Sequence, residues 1–145
     1  MADERIPERL KKKVAERARH RCEYCRMPEA FSLMPRHSVD HIVPVCDSGK
    51  TRLGNLALAC QGCNGAKASR RKGYDRQTGR PVRLFHPRND RWSDHFAWSK
   101  DFLRIEGLTD IGRMTVEALR LNRAGVVNMR RVLILDGTHP PPEDT

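Results

Sequence analysis

Two Cys-x-x-Cys pairs, Cys22/Cys25 and Cys60/Cys63, constrain this chain more than any other feature. Each pair can hold a metal ion by two thiolates from one tight turn. Two such turns close a tetrahedral S4 shell, which suits Zn²⁺. A shell of four thiolates has no open coordination position, so the ion it predicts is structural and not catalytic. Residues 26–59 separate the pairs, a gap longer than a simple zinc ribbon needs, so something folded is inserted between them. Two unrelated redox or buried cysteine pairs are the alternative reading. The fifth cysteine, Cys46, is expected to be a free, buried thiol.

A staple matters because the core is thin. The 145 residues are 38% hydrophobic, with a mean hydropathy of −0.70. A small domain with so little to bury needs help from a metal or a cross-link. The net charge is +10 and the pI about 10.0, a balance that favours a polyanionic partner. Ribosome-associated and membrane-surface proteins share it, so charge alone selects no function. No apolar run is long enough to span a membrane. The N-terminus is charged from Asp3 to Lys13 and does not read as a signal peptide. A cytoplasmic location is therefore expected, where paired cysteines read as metal sites rather than disulfides.

Four segments are predicted along the chain. Residues 1–21 form a basic N-terminal helix, with Ile6, Leu10, Val14 and Ala18 recurring along one face of Ile6–His20 and Pro7 at its first position. Residues 22–72 form the metal-stapled core: a short strand around Phe31–Leu33, a strand over His37–Val43, a turn at Asp47–Lys50, a core run over Asn55–Ala59 and a helix over Asn64–Arg71. Residues 73–136 form a basic linker and an α/β extension. It holds strands near Val82–Phe85 and Phe102–Glu106, a helix capped by Thr109, and a last helix over Gly125–Leu135 that stops at Asp136-Gly137. Trp92, His95 and Phe96 are spaced to share a helical face and read as a small core cluster. Residues 137–145 are expected to be a disordered tail. Nine basic residues fall between positions 66 and 91, against Asp75 and Asp90. Of these, Lys67, Arg70, Arg71, Lys72 and Arg76 are the candidate nucleic-acid contacts.

The insert carries the chemistry. His41 is the only histidine beside a carboxylate inside the cysteine-framed segment, and an unperturbed imidazole can accept a proton at neutral pH. It is the candidate general base. Asp40 offers an anionic oxygen and Asn64 a neutral one, hard ligands that suit Mg²⁺ or Mn²⁺. Lys67 lies one helical turn after Asn64, within reach of a phosphate oxygen. His37 is a further ligand candidate or a bystander. Adjacent strand residues point to opposite faces, so Asp40 and His41 can serve one phosphate only if the strand twists or ends there. Asn55 follows His41 by 14 positions and Asn64 follows Asn55 by 9. The order Asp40-His41, Asn55, Cys60-x-x-Cys63-Asn64 and Lys67 resembles an HNH endonuclease in which Asn replaces the final His. Arg83-Leu-Phe-His-Pro-Arg and Arg91-Trp-Ser-Asp-His-Phe are similar to the tail of a small bacterial HNH subfamily, and the likeness runs from about Ile6 to Asp136.

That resemblance implies an α+β fold: a ββα-metal finger stapled by structural zinc, with an N-terminal basic helix and a C-terminal helical extension. It implies catalytic His41, Asn55 and Lys67, with Asn55 bracing the loop backbone that holds the His-bearing strand. It implies a catalytic divalent ion on Asp40 and Asn64, DNA as partner, and cleavage leaving 5′-phosphate and 3′-hydroxyl ends. The alternative is a zinc-stapled nucleic-acid-binding module without nuclease activity. An RNA-processing or ribosome-associated zinc protein would leave Asp40, His41 and Asn64 unexplained. Site specificity, nicking against double-strand cleavage, and oligomeric state are open at this point.

Overall fold

The apolar stripe of the first segment makes a helix, α1 (Glu8–Arg17), that buries Val14 completely against Leu56 and Leu58. Pro7 stands just before the helix and its carbonyl accepts the first backbone bonds, from Leu10 and Lys11. The computed structural model describes residues 6–31 and 36–142. Beyond α1 the chain reverses through Arg19 and His20, both with positive φ, into the first cysteine turn. The strand expected around Phe31–Leu33 is instead a short 3-10 turn over Glu29–Phe31, and residues 32 and 33 fall outside the described residues.

β1 (Ser38–His41) pairs antiparallel with β2 (Leu56–Ala59), Ser38 opposite Ala59 and His41 opposite Leu56. β1 is shorter than the His37–Val43 strand read from the sequence. The reason is local: the side chain of Asn55 takes the N–H and the carbonyl of Val43, removing both from a ladder. Glu23 supports β2, its backbone N–H donating to Leu58 O and its Oε2 accepting from Leu58 N. β2 is buried along its whole length.

α2 (Gln61–Lys67) follows directly and packs on β1. It begins three residues before the expected Asn64 because Cys60 caps it, its sulfur accepting from Cys63 N. The second cysteine turn is therefore the first turn of the helix, which ends at Ala68 in a positive-φ conformation.

The rest of the chain adds two more antiparallel pairs, β3 (Lys72–Tyr74) with β4 (Pro81–Arg83), and β5 (Phe96–Trp98) with β6 (Ile105–Gly107). One turn of helix, α3 (Trp92–His95), leads into β5. α4 (Asp110–Ala118) is capped by Thr109, whose hydroxyl accepts from Gly112 N. α5 (Ala124–Leu135) ends before Gly137, which has φ +76°. The described residues thus mix helices with three two-stranded sheets. The main core joins the cysteine turns to Phe85, Phe96, Ile105, Leu119, Leu121 and Leu133. Trp92 and Phe96 do pack together there, with ring centroids 5.2 Å apart.

Two expectations are corrected. Cys46 is exposed, because the 3-10 turn Val45–Asp47 lies on the surface. The described part of the expected tail, residues 137–142, is anchored: His139 is 6% exposed, packs edge-on against Trp98 and is hydrogen-bonded to Phe102 O; residues 143–145 fall outside the described residues. Among the described residues, no helix is long and apolar enough to cross a membrane.

Candidate metal centres and catalytic residues

Cys22, Cys25, Cys60 and Cys63 bring their sulfurs within 4.8 Å of one another, all buried. The two turns are built alike. Cys25 N donates to Cys22 Sγ and Cys63 N to Cys60 Sγ, each at 3.5 Å. Contacts with the sulfurs of Cys22, then Cys25 and Cys63, hold the Cys60 thiol far below its ordinary value. Four buried sulfurs at this separation, two already accepting backbone N–H bonds, form a donor set that fits a tetrahedral ion such as Zn²⁺.

Two arginines that sequence reading passed over close the cluster from the C-terminal side. Arg123 directs Nη2 at Cys60 Sγ (3.3 Å) and Nη1 at Cys63 Sγ (3.7 Å). Burial pulls its guanidinium down, but the cysteine sulfurs, Cys63 first, lift it above its ordinary range overall. Arg130 is 1% exposed and donates to the carbonyls of Leu121, Leu103 and Cys25. Its only sequence signal is a basic residue on the otherwise apolar side of a C-terminal helix. Arg123 gives none, because its role rests on contacts 60 and 63 positions away.

β1 separates its two polar residues. Asp40 is buried, and its Oδ2 meets Lys67 Nζ at 3.0 Å and Tyr24 Oη at 3.5 Å. Burial raises its carboxyl above the ordinary value, against the opposing pull of Lys67. His41 is half-buried and its Nε2 lies 2.9 Å from Thr51 Oγ1. Thr51 was not among the candidates, since a lone hydroxyl after a turn carries no signal by itself. Adjacent side chains thus go different ways, and β1 ends at His41.

Asn55 is buried and holds three backbone groups: Oδ1 accepts from Val43 N, while Nδ2 donates to the carbonyls of Val43 and Lys50. It thereby fixes the segment leaving His41 to the loop that carries Thr51. Lys67 requires a correction. It is 2% exposed, and its ammonium is surrounded by Asp40 Oδ2, His41 O (3.3 Å) and Ile42 O (3.4 Å). It does not face solvent as a phosphate contact, because a buried carboxylate demands a counter-charge. Asn64 is half-buried, one turn earlier on the same side of α2. His37 turns away, its Nε2 bound to Met27 O.

Of the other basic candidates, Arg70, Arg71, Lys72 and Arg76 are all exposed. Arg71 reaches Asp47 at 3.8 Å and Arg76 reaches Glu117 at 2.5 Å, both partly exposed surface pairs. Such pairs are worth little and yield readily to another anion.

Residues 22–70 match the family model described as HNH endonuclease, which leaves α1 and the C-terminal extension outside the match. No curated protein and no solved structure matches the chain.

Proposed function

We propose that this chain, whose residues 22–70 match the HNH endonuclease family model, is a metal-dependent endonuclease that hydrolyses DNA phosphodiester bonds. The observation that carries the reading is the junction of β1 and α2. There His41, Asp40 and the Asn64-bearing helix meet, held by Asn55 and Lys67. The hairpin β1–β2 followed by α2 is the part of the fold that a ββα-metal finger needs.

His41 acts as general base. In the tautomer that donates Nε2–H to the Thr51 hydroxyl, Nδ1 is the nitrogen that takes a proton from the attacking water. Thr51 and Asn55 keep the ring oriented, so that no reorganisation is needed at the moment of reaction. Asp40 and Asn64 would offer oxygens for Mg²⁺ or Mn²⁺, a reading supported by the preference of this corner for positive charge, seen in the oxygens around the Lys67 ammonium. When bound, the divalent ion supplies charge neutralisation at the phosphate and at the departing 3′ oxygen. The products are 5′-phosphate and 3′-hydroxyl ends. Zn²⁺ on the four cysteines is structural, and the exposed run Arg70, Arg71, Lys72 and Arg76 lies along the DNA backbone.

A nucleic-acid-binding module without nuclease activity would have the same charge and the same cysteine cluster, but no use for a braced histidine. Supercoiled plasmid, incubated with and without Mg²⁺ or Mn²⁺, separates the two: nicked or linear product is expected, and bound but intact plasmid would establish the module. His41→Ala is expected to slow single-turnover cleavage by roughly 10²- to 10⁴-fold at saturating metal, with DNA binding and zinc content unchanged. Equal rates would remove His41 from the mechanism.

A further inference from the structure

A cleft of about 800 Å³ lies between the C-terminal end of α1, the first cysteine turn and the β5 region. It contains none of Asp40, His41 and Asn64. Most of its lining residues lie outside the segment that matches the nuclease family.

Six arginines line it: Arg17, Arg19, Arg21, Arg26, Arg88 and Arg91. Arg17, Arg19 and Arg91 are exposed. The two carboxylates among its lining residues, Glu23 and Asp90, are already engaged. Glu23 pairs with Arg88 and accepts from Leu58 N. Asp90 receives both terminal nitrogens of Arg83, at 2.6 and 2.9 Å. The positive charges crowd one another: burial, and then the charge of Arg17, push the Arg88 guanidinium down to about 10.

Flat apolar surface accompanies this charge. Trp92, Trp98 and the exposed ring of Phe102 line the same cleft. The two indoles are 5.5 Å apart and inclined at 38°, and Arg26 lies 4.9 Å over Trp92. Three lining residues, Arg19, Arg26 and Phe102, have φ of 55°, 68° and 61°. For residues with a β-carbon that conformation is uncommon, and folded chains keep it mainly where surrounding contacts demand it.

We propose that this cleft binds an unpaired stretch of DNA strand, its phosphates against the arginines and its bases against the aromatic edges. Arginine and aromatic side chains along one groove are what a single strand requires, since it presents anionic backbone and bare base faces together. The volume falls in the range of about 300–1,000 Å³ that encloses small ligands, enough for a few nucleotides of one strand. The choice of DNA rests on the nuclease reading. The cleft itself is distinct from the proposed cutting residues, so binding here and cleavage there can fail separately.

Trp92 and Trp98 are the only tryptophans in the chain, so intrinsic fluorescence reports on this cleft. The experiment uses zinc-loaded wild-type protein without added Mg²⁺ or Mn²⁺. It is titrated with an oligothymidylate, with a blunt duplex of the same length, and with inorganic phosphate, while anisotropy of labelled DNA gives total binding. Saturable change with the single strand is expected, at concentrations where duplex and phosphate leave the signal unmoved. Arg19→Ala combined with Arg91→Ala, both on exposed positions, is expected to weaken strand binding about tenfold or more. It should also lower the salt slope by about 1.4, at roughly 0.7 per phosphate contact on single strands.

Four results would overturn the assignment. Strand binding by anisotropy with unchanged fluorescence, or with full affinity in the double variant, would place the strand elsewhere. Equal response to duplex would make the cleft a duplex contact, and saturation by phosphate alone would make it a small-anion site. Plasmid cleavage is read separately, so absence of strand binding by the wild-type protein with cleavage intact refutes the cleft and not the nuclease.

Discussion

Lys67 shows how one residue can mislead a reading made from neighbours in sequence. It stands at the head of a basic run and one turn after Asn64, which marks it for phosphate. It is instead the counter-ion of Asp40, and what decided this was the burial of β1 against α2, a contact between residues 27 positions apart that no local pattern reports. Lys67→Met should cost about 3–5 kcal/mol, the usual cost of leaving one buried charge without its partner. Asp40→Asn combined with Lys67→Met should recover much of that loss, as read by urea unfolding. A double variant as unstable as the sum of the singles would show that the pair is not coupled. Burial raises the Asp40 carboxyl in the folded state above its ordinary 3.8. The folded protein therefore holds this proton more tightly than the unfolded chain, and the contribution of Asp40 falls as pH rises from 3.8 through the raised value. The bracing role of Asn55 was legible through the resemblance to HNH endonucleases, and its side chain does hold backbone groups of Val43 and Lys50. Thr51 was not legible, because its partner is an imidazole brought near by the intervening turn.

One buried carboxylate clamps the hairpin β3–β4 to α4, beside the apolar cluster that joins Val82 to Met114. Asp75 accepts from Arg113 Nε at 3.2 Å and Nη2 at 3.0 Å, from Thr78 Oγ1 at 2.9 Å and from Gln77 N at 3.4 Å. Asp75 opens the turn between β3 and β4, and nothing near it in sequence marks it as a clamp to an element 38 positions on. The Arg113 hydrogen bonds lead the causes that hold its carboxyl at about 2, against an ordinary 3.8. The folded pKa lies below the unfolded one, so this stabilisation is complete above 3.8 and is lost as pH falls toward 2. Asp75→Asn should flatten the acid limb of the stability curve between pH 4 and 2, measured by thermal unfolding at constant ionic strength. An unchanged acid limb would mean that the clamp contributes nothing there. Helix and strand positions followed the apolar periodicity, whereas their ends were set by polar side chains: Cys60 at the start of α2, Asn55 beyond β1, Thr109 before α4. Only Thr109 is of a type that announces itself as a cap.

At the scale of the molecule, the described residues form three separate two-stranded sheets and no large sheet to unify the core, so the cysteine cluster is where the pieces meet. Strong chelation should remove one zinc per chain and, with it, the circular dichroism of the folded state. Arg123→Met should weaken zinc retention by roughly 10- to 100-fold, the usual effect of losing a residue that supports metal ligands, as read by competition with a coloured chelator. Unchanged retention would reduce Arg123 to a packing residue. The cysteine spacing made the staple legible, and the helical stripes made the C-terminal helices legible. That those helices return to cover the staple was not, because pairings at separations of 60 and 63 leave no periodic trace. The same separations set an order of events on the ribosome. Cys60 and Cys63 leave the exit tunnel some sixty residues ahead of Arg123, a delay of about 3–12 s at 5–20 residues per second. During that interval the thiols are present without the arginine that later covers them, so the nascent chain meets the cell's zinc supply before its own clasp exists.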